Sequence, residues 1–202
     1  MIRTISRSIS FLLHPVFLPL LSVFILFQLP FYINYKYTAD YRNAIYLILL
    51  LNTIILPVLA NLYLFNRKVI SSMEMPTARE RRIPYFITVI IFVFTLYLLE
   101  KINFHPVYLA FFRSVSISLI LLFFFAVANS KVSAHMCGIG GICGMFVVLS
   151  IGFGVDTFEI FCLFVLLAGL VGTSRLYLKA HTPTDLLLGF LIGFGAQIYL
   201  LP

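Results

Sequence analysis

Two short stretches hold most of the side chains able to do nucleophilic or acid–base chemistry. Residues 174–189 read SRLYLKAHTPTDLLLG and residues 129–141 read NSKVSAHMCGIGG. In the first, His181 follows Arg175 by six residues and Asp185 follows His181 by four. If a helix begins near Thr182, His181 and Asp185 lie about one turn apart. The carboxylate can then hold one imidazole N–H and leave the other ring nitrogen free as a nucleophile or base. The same text is also a helix start, with Thr182 as N-cap, Pro183 at the first helical position and Asp185 in the first turn, so Asp185 has a capping role open to it as well. In the second stretch Ser133 and His135, with Lys131 beside them, stand at the head of an apolar run. Free backbone N–H groups and the helix dipole favour an anion there, although a serine cap and an interfacial histidine explain the same letters.

A third stretch, residues 74–84, reads EMPTARERRIP and sets Arg79, Arg81 and Arg82 ahead of another apolar run. Guanidinium forks suit a phosphate, and the same residues also serve to orient a membrane protein. Phosphoryl transfer needs a positive cradle for the nonbridging oxygens, an in-line nucleophile and a proton for the leaving oxygen. The three stretches supply all of these. Their carboxylates are only Glu74, Glu80 and Asp185, so the expected chemistry uses no metal and no other cofactor.

The elements that must position these residues are apolar. The chain has 202 residues, 62% hydrophobic and 10% charged, against roughly 25% charged in a soluble domain. Seven apolar runs recur, at about 10–32, 43–65, 84–99, 107–128, 136–155, 157–178 and 184–201. Helices of that length cross a bilayer, and lipid leaves backbone polar groups no partner outside the helix. The expected fold is therefore an all-α integral membrane protein, a bundle of six to seven transmembrane helices forming one membrane domain over 1–202. The third run is marginal in length. The net charge of +7 does not point to nucleic acid, because the basic residues sit in short loops between spans. Cys137, Cys143 and Cys162 lie inside apolar runs at no metal-ligand spacing and read as packing residues. The first run is too long for a signal-peptide core, holds Pro15 and Pro19, and reads as a retained span.

Small residues four apart, Gly140 and Gly144, Ala168 and Gly172, Gly189 and Gly193, predict close backbone packing of the last three spans. Counting spans collects the N-terminus and the 66–83, 129–135 and 175–183 loops on one face. That face carries Arg3, Arg7, Arg67, Lys68, Arg79, Arg81, Arg82, Lys131, Arg175 and Lys179. The other carries Lys36, Arg42 and Lys101, with Arg113 inside the fourth span near that side. Positive-inside bias predicts a cytoplasmic site in the cell (inner) membrane.

Ser174-Arg175, five residues, His181, three residues, Asp185 resembles the third signature of the type 2 phosphatidic acid phosphatase superfamily. Val132-Ser133-Ala134-His135 is similar to its second, Pro-Ser-Gly-His. The resemblance covers a signature core at about 129–193. It implies a metal-free site in which His181 attacks phosphorus to give a phosphohistidine. Asp185 would orient His181, His135 would protonate the leaving oxygen, and Arg175 and Ser133 would bind phosphate oxygens. The first signature, Lys, six residues, Arg-Pro, is absent. Its nearest text is Arg82-Ile83-Pro84, so Arg82 and Arg79 take that role by position, and Lys131 joins the phosphate binders. The expected function is hydrolysis of the terminal phosphate of a phospholipid or isoprenoid (prenyl) diphosphate at the bilayer. A lipid phosphotransferase and a non-catalytic lipid-binding or transport protein are the rival readings.

Overall fold

Pro15 and Pro19 decide how the chain enters the bundle. A proline offers no N–H to the carbonyl four residues back, and its ring crowds that carbonyl. In the computed structural model, which describes residues 2–200, the first apolar run is two helices, α1 (Ile2–Leu12) and α2 (Leu18–Gln28), joined by a turn over 13–17. The expected continuous span over 10–32 is thus broken. The 11 residues of α2 make a helix of about 16 Å, well short of a hydrocarbon core of about 30 Å. The segment nevertheless runs from end to end of the bundle. His14 packs edge-on against His135 at the start of α7 (Ala134–Phe153), and Phe31 packs against Phe153 at its end.

After a 3-10 turn over Tyr32–Lys36 comes a rod of 28 residues, Ala39–Asn66. It consists of α3 (Ala39–Leu49), a π-helical turn Leu50–Ile55 and α4 (Leu56–Asn66). The π turn stands just ahead of Pro57, which has no N–H for the Thr53 carbonyl, so the regular ladder is interrupted there. Then follow α5 (Ala78–Lys101), α6 (Pro106–Val127), α7, α8 (Phe158–Tyr177) and α9 (Pro183–Leu200). The rod and α5 to α8 are five helices long and apolar enough to cross a membrane. No strand occurs among the described residues. The fold is an all-α membrane bundle, as composition requires.

The third span is longer than its apolar run. Thr77 caps α5, accepting from the Glu80 backbone N–H at 3.3 Å and donating to Glu80 Oε1 at 2.9 Å. The helix therefore begins before the arginines and carries them on its first turns. It is 24 residues long, about 36 Å.

The closest packing is between α7 and α9. A Cβ at Gly193 would overlap the Cys137 carbonyl, and one at Gly140 the Phe190 carbonyl. One at Gly189 would overlap the carbonyl of Ser133, next to the site. The Ser133 N–H also donates to the Asp185 carbonyl at 3.1 Å, tying the start of α7 to the start of α9. Helix α8 packs less closely, since Gly172 meets only side-chain atoms of Met136 and Leu186 and Gly169 faces open space. At the far end of the bundle Asn34 Nδ2 donates to the carbonyls of Leu26 at 2.7 Å and Leu29 at 3.0 Å. Its Oδ1 accepts from Tyr108 and its carbonyl accepts from Arg42.

The seam predicts a contrast between two glycines of one helix. Gly193→Ala should destabilise the protein by roughly 1–3 kcal/mol through overpacking, read as a lower Tm in detergent. Gly195→Ala should be neutral or slightly stabilising, because nothing lies within 4 Å of its added Cβ. Equal effects at both positions would contradict the seam.

Candidate functional site

The site lies where three helix ends meet. Helix α8 closes on a left-handed residue, Lys179 (φ 52°). The Lys179 N–H donates to the Leu176 carbonyl at 2.9 Å and the Ala180 N–H to the Arg175 carbonyl at 3.0 Å. This is a Schellman turn with lysine where glycine is usual. It satisfies the last carbonyls of α8 and turns the chain back toward the bundle, so that His181 is buried just ahead of α9. Helix α6 ends the same way on Asn129 (φ 61°), with Ser130 N–H donating to the Phe125 carbonyl at 2.8 Å. Residues 130–133 that follow are not helical and have carbonyls to offer.

His181 uses one of them. Its Nδ1 donates to the Lys131 carbonyl at 2.9 Å. That bond fixes the tautomer and leaves Nε2 with its lone pair free. Asp185 Oδ2 is 3.8 Å from the same Nδ1, a charge contact beyond hydrogen-bond length. Instead Asp185 closes a capping box with Thr182. Its Oδ2 accepts from the Thr182 N–H at 2.9 Å, and Thr182 Oγ1 accepts from the Asp185 N–H at 3.2 Å. Between the two roles open to Asp185 in the sequence, the direct hydrogen bonds belong to the cap, and the imidazole is held mainly by a backbone carbonyl. Burial, then the charges of Arg81 and Arg175, push His181 down to about 4, so the ring is neutral at neutral pH.

Ser133 caps α7, its Oγ accepting from the Met136 N–H at 3.4 Å, and it is fully buried. His135 donates from Nε2 to the Ser10 carbonyl at 3.0 Å. Its ring meets that of His14 edge-on, centroids 5.1 Å apart. Arg175, on the last turn of α8, is buried, and its Nε has no hydrogen-bond partner among the described residues. Its charge bears on His14, His135 and His181 alike. Lys131 Nζ donates to the Pro76 carbonyl at 2.8 Å, while burial and then the Arg81 charge lower its proton affinity below the ordinary lysine range.

The structure brings Ser133, His135, Arg175, His181, Asp185 and Lys131 together. The other two sequence candidates lie apart. Arg82 donates to the Ala126 carbonyl at 3.1 Å, the Val127 carbonyl at 3.0 Å and Asn129 Oδ1 at 2.8 Å, so its guanidinium caps the C-terminus of α6. Arg79 is exposed on the first turn of α5. The arginine that faces the histidines is Arg81, buried and held by the Met75 carbonyl at 3.0 Å and the Val132 carbonyl at 3.2 Å. Helical phase was its signal. Arg81 shares the inner stripe of α5 with Pro84, Thr95 and Leu99, which becomes visible only when the helix is started at Ala78. His14 was also missed. It sits inside an apolar run, where an ionisable residue is itself a functional signal. Its Nδ1 accepts from the Val16 N–H at 3.3 Å. No group of three His, Cys, Asp or Glu placed to hold a metal ion occurs among the described residues.

This arrangement offers one imidazole with a free Nε2, a second imidazole near it, and a buried guanidinium awaiting an anion. Among family models, residues 129–201 match that described as the PAP2 superfamily. No curated protein and no solved structure matches the chain.

A neutral His181 is required for attack on phosphorus, so the acid limb of kcat/KM should stay low, near the value of about 4 that burial and Arg81 impose. Arg81→Gln removes one of the two guanidinium charges and should move that limb up by roughly one pH unit. An unmoved limb would separate Arg81 from His181. The unfolded chain binds a proton to His181 at its ordinary 6.5, so the fold itself loses stability as pH falls from 6.5 toward 4. The profile is therefore read on protein confirmed as folded at each pH.

Proposed function

From the match of residues 129–201 to the PAP2 superfamily model and the geometry of the helix ends, we propose an integral-membrane lipid phosphatase. It hydrolyses the terminal phosphate of a lipid phosphate or a prenyl diphosphate through a phosphohistidine. The observation that carries this reading is Arg175: a buried guanidinium whose Nε has no hydrogen-bond partner among the described residues and whose charge bears on His135 and His181. A buried donor left without a partner is expensive, and a phosphate is a ligand whose charge and paired oxygens suit a guanidinium.

The chemistry follows from the hydrogen bonds. His181 Nε2 attacks phosphorus as the P–O bond to the lipid breaks, with Nδ1–H held by the Lys131 carbonyl. Arg175, Arg81 and Lys131 offset the charge on the nonbridging oxygens, and the N-terminus of α7 behind Ser133 adds its dipole. His135 enters this step as an imidazolium, its charge offset by the bound phosphate, and gives its Nδ1 proton to the leaving oxygen. In the second half it takes a proton from water, whose oxygen attacks phosphorus and releases His181 and inorganic phosphate. Asp185 steadies the start of α9 and adds a nearby negative charge as His181 becomes cationic.

The test is phosphate release by purified protein from a panel of phosphatidic acid, phosphatidylglycerol phosphate and polyprenyl diphosphates. His181→Ala should lower the rate on the order of a thousandfold or more, and His135→Ala on the order of a hundredfold or more. Orthovanadate should inhibit by mimicking five-coordinate phosphorus, and activity should survive chelators. Near-normal turnover by folded His181→Ala would sink the mechanism. Phosphate appearing on an added lipid alcohol in preference to water would turn the reading to phosphotransfer.

The excess of Lys and Arg at the site end of the bundle favours a cytoplasmic site. With the native cysteines replaced, a cysteine at Ser72 should resist a membrane-impermeant thiol reagent until cells are opened. Ready labelling of intact cells would put the site outside.

A further inference from the structure

Helix α1 lies outside the matched region yet supplies a contact to the site, the Ser10 carbonyl on His135 Nε2 at 3.0 Å. Its eleven residues, IRTISRSISFL, divide into three stripes at helical spacing. Ser6 and Ser10 are buried against the bundle. On one flank of that stripe stand Ile2, Ile5 and Leu12, all exposed. On the other stand Arg3 and Arg7, also exposed, with an exposed Phe11 one turn beyond Arg7 at the end of the helix. A water-soluble surface has no use for three exposed aliphatic side chains on so short a helix. Within the bilayer core, two arginines would be costly. A helix with an apolar flank on one side and a basic flank on the other fits the boundary between them. The depth agrees: α1 packs on α8, and its contact with His135 is at the helix ends that form the mouth of the bundle.

We infer that α1 is an interfacial helix that docks on an anionic bilayer surface and, through the Ser10 carbonyl, holds His135 in its working tautomer. Ile2, Ile5 and Leu12 enter the acyl boundary, and Arg3 and Arg7 meet the anionic headgroups. With Nε2–H bonded to Ser10, the Nδ1 of His135 is the nitrogen that faces the reaction: it gives a proton to the leaving oxygen when the ring is cationic and takes one from water when the ring is neutral. This last step rests on the phosphatase reading; the membrane contact does not. Ser10 is a positioning residue and touches no substrate.

The full chain is placed in nanodiscs of phosphatidylcholine or of phosphatidylglycerol, and amide exchange over residues 2–12 is followed by mass spectrometry. Near an anionic surface each arginine favours contact by roughly fivefold, so two give roughly thirtyfold. Exchange should slow by up to that factor in phosphatidylglycerol, and Arg3→Gln/Arg7→Gln should abolish the difference between lipids. Equal exchange of the wild type in both lipids overturns the inference. Nitrogen NMR of the His135 ring, assigned by its loss in His135→Asn, should show a single tautomer with protonated Nε2 in phosphatidylglycerol and a mixture in phosphatidylcholine. Identical mixtures in both overturn the link to His135. Vanadate binding to the same discs is scored separately. Its absence, with lipid-dependent exchange intact, would strike the phosphatase reading and leave the membrane contact standing.

Discussion

The backbone-to-backbone contact of α7 with α9 sets the rest. Gly189 and Gly193 let α9 approach the carbonyls of Ser133 and Cys137, and Gly140 accepts the Phe190 carbonyl in return. Side chains larger than hydrogen at these points would separate the helices by a good part of an ångström or more. His135 is carried by α7, and His181 immediately precedes α9, so the seam fixes the spacing of the two imidazoles. The Ser133–Asp185 backbone bond locks the same spacing at the helix starts. In a lipid surround, where apolar packing against a neighbour gains little over packing against acyl chains, such close contact is what holds helices together.

Most polar groups inside the bundle are paired. At the far end, Asn34 draws Leu26, Leu29, Arg42 and Tyr108 into a bonded group. Ser22, Thr53, Thr95, Ser114 and Ser116 return their hydroxyls to carbonyls four residues back on their own helices. Five buried side-chain atoms lack a partner among the described residues: Arg42 Nε, Asn52 Oδ1 and Gln197 Oε1, and, at the site end, Arg175 Nε and Ser10 Oγ. Low dielectric makes that costly, and the same burial, with the Arg81 and Arg175 charges, keeps the His181 ring neutral.

Much of this was legible in the sequence. Apolar runs pointed to the helical bundle, and the spacing of Ser133, His135, Arg175, His181 and Asp185 pointed to the cluster that the fold brings together, because each lies within a few residues of a helix end where phase is short and easily counted. The arginine of α5 that bears on His181 was not legible. Choosing among Arg79, Arg81 and Arg82 requires knowing where α5 begins, and Thr77 moves that start six residues ahead of the apolar run. The Lys131 carbonyl that holds His181 was invisible for another reason. Backbone groups have no letter of their own, and this one became available only because α6 ends on a left-handed Asn129. The break at Pro15 was written in the text, but its consequence, a His14 turned onto His135, depended on a partner 121 residues away.

That broken first segment bears on how the protein is made. Residues 14–31 traverse the bundle with only 11 of them helical between Leu18 and Gln28, leaving backbone groups at both ends that lipid cannot satisfy. The walls that shelter them, Tyr108 and Phe153 at one end and His135 at the other, lie about a hundred residues further along the chain. A stretch of chain in that condition is a poor guest for bare bilayer. Its ends find partners only once α6 and α7 are in place, so the settling of this segment depends on helices made after it.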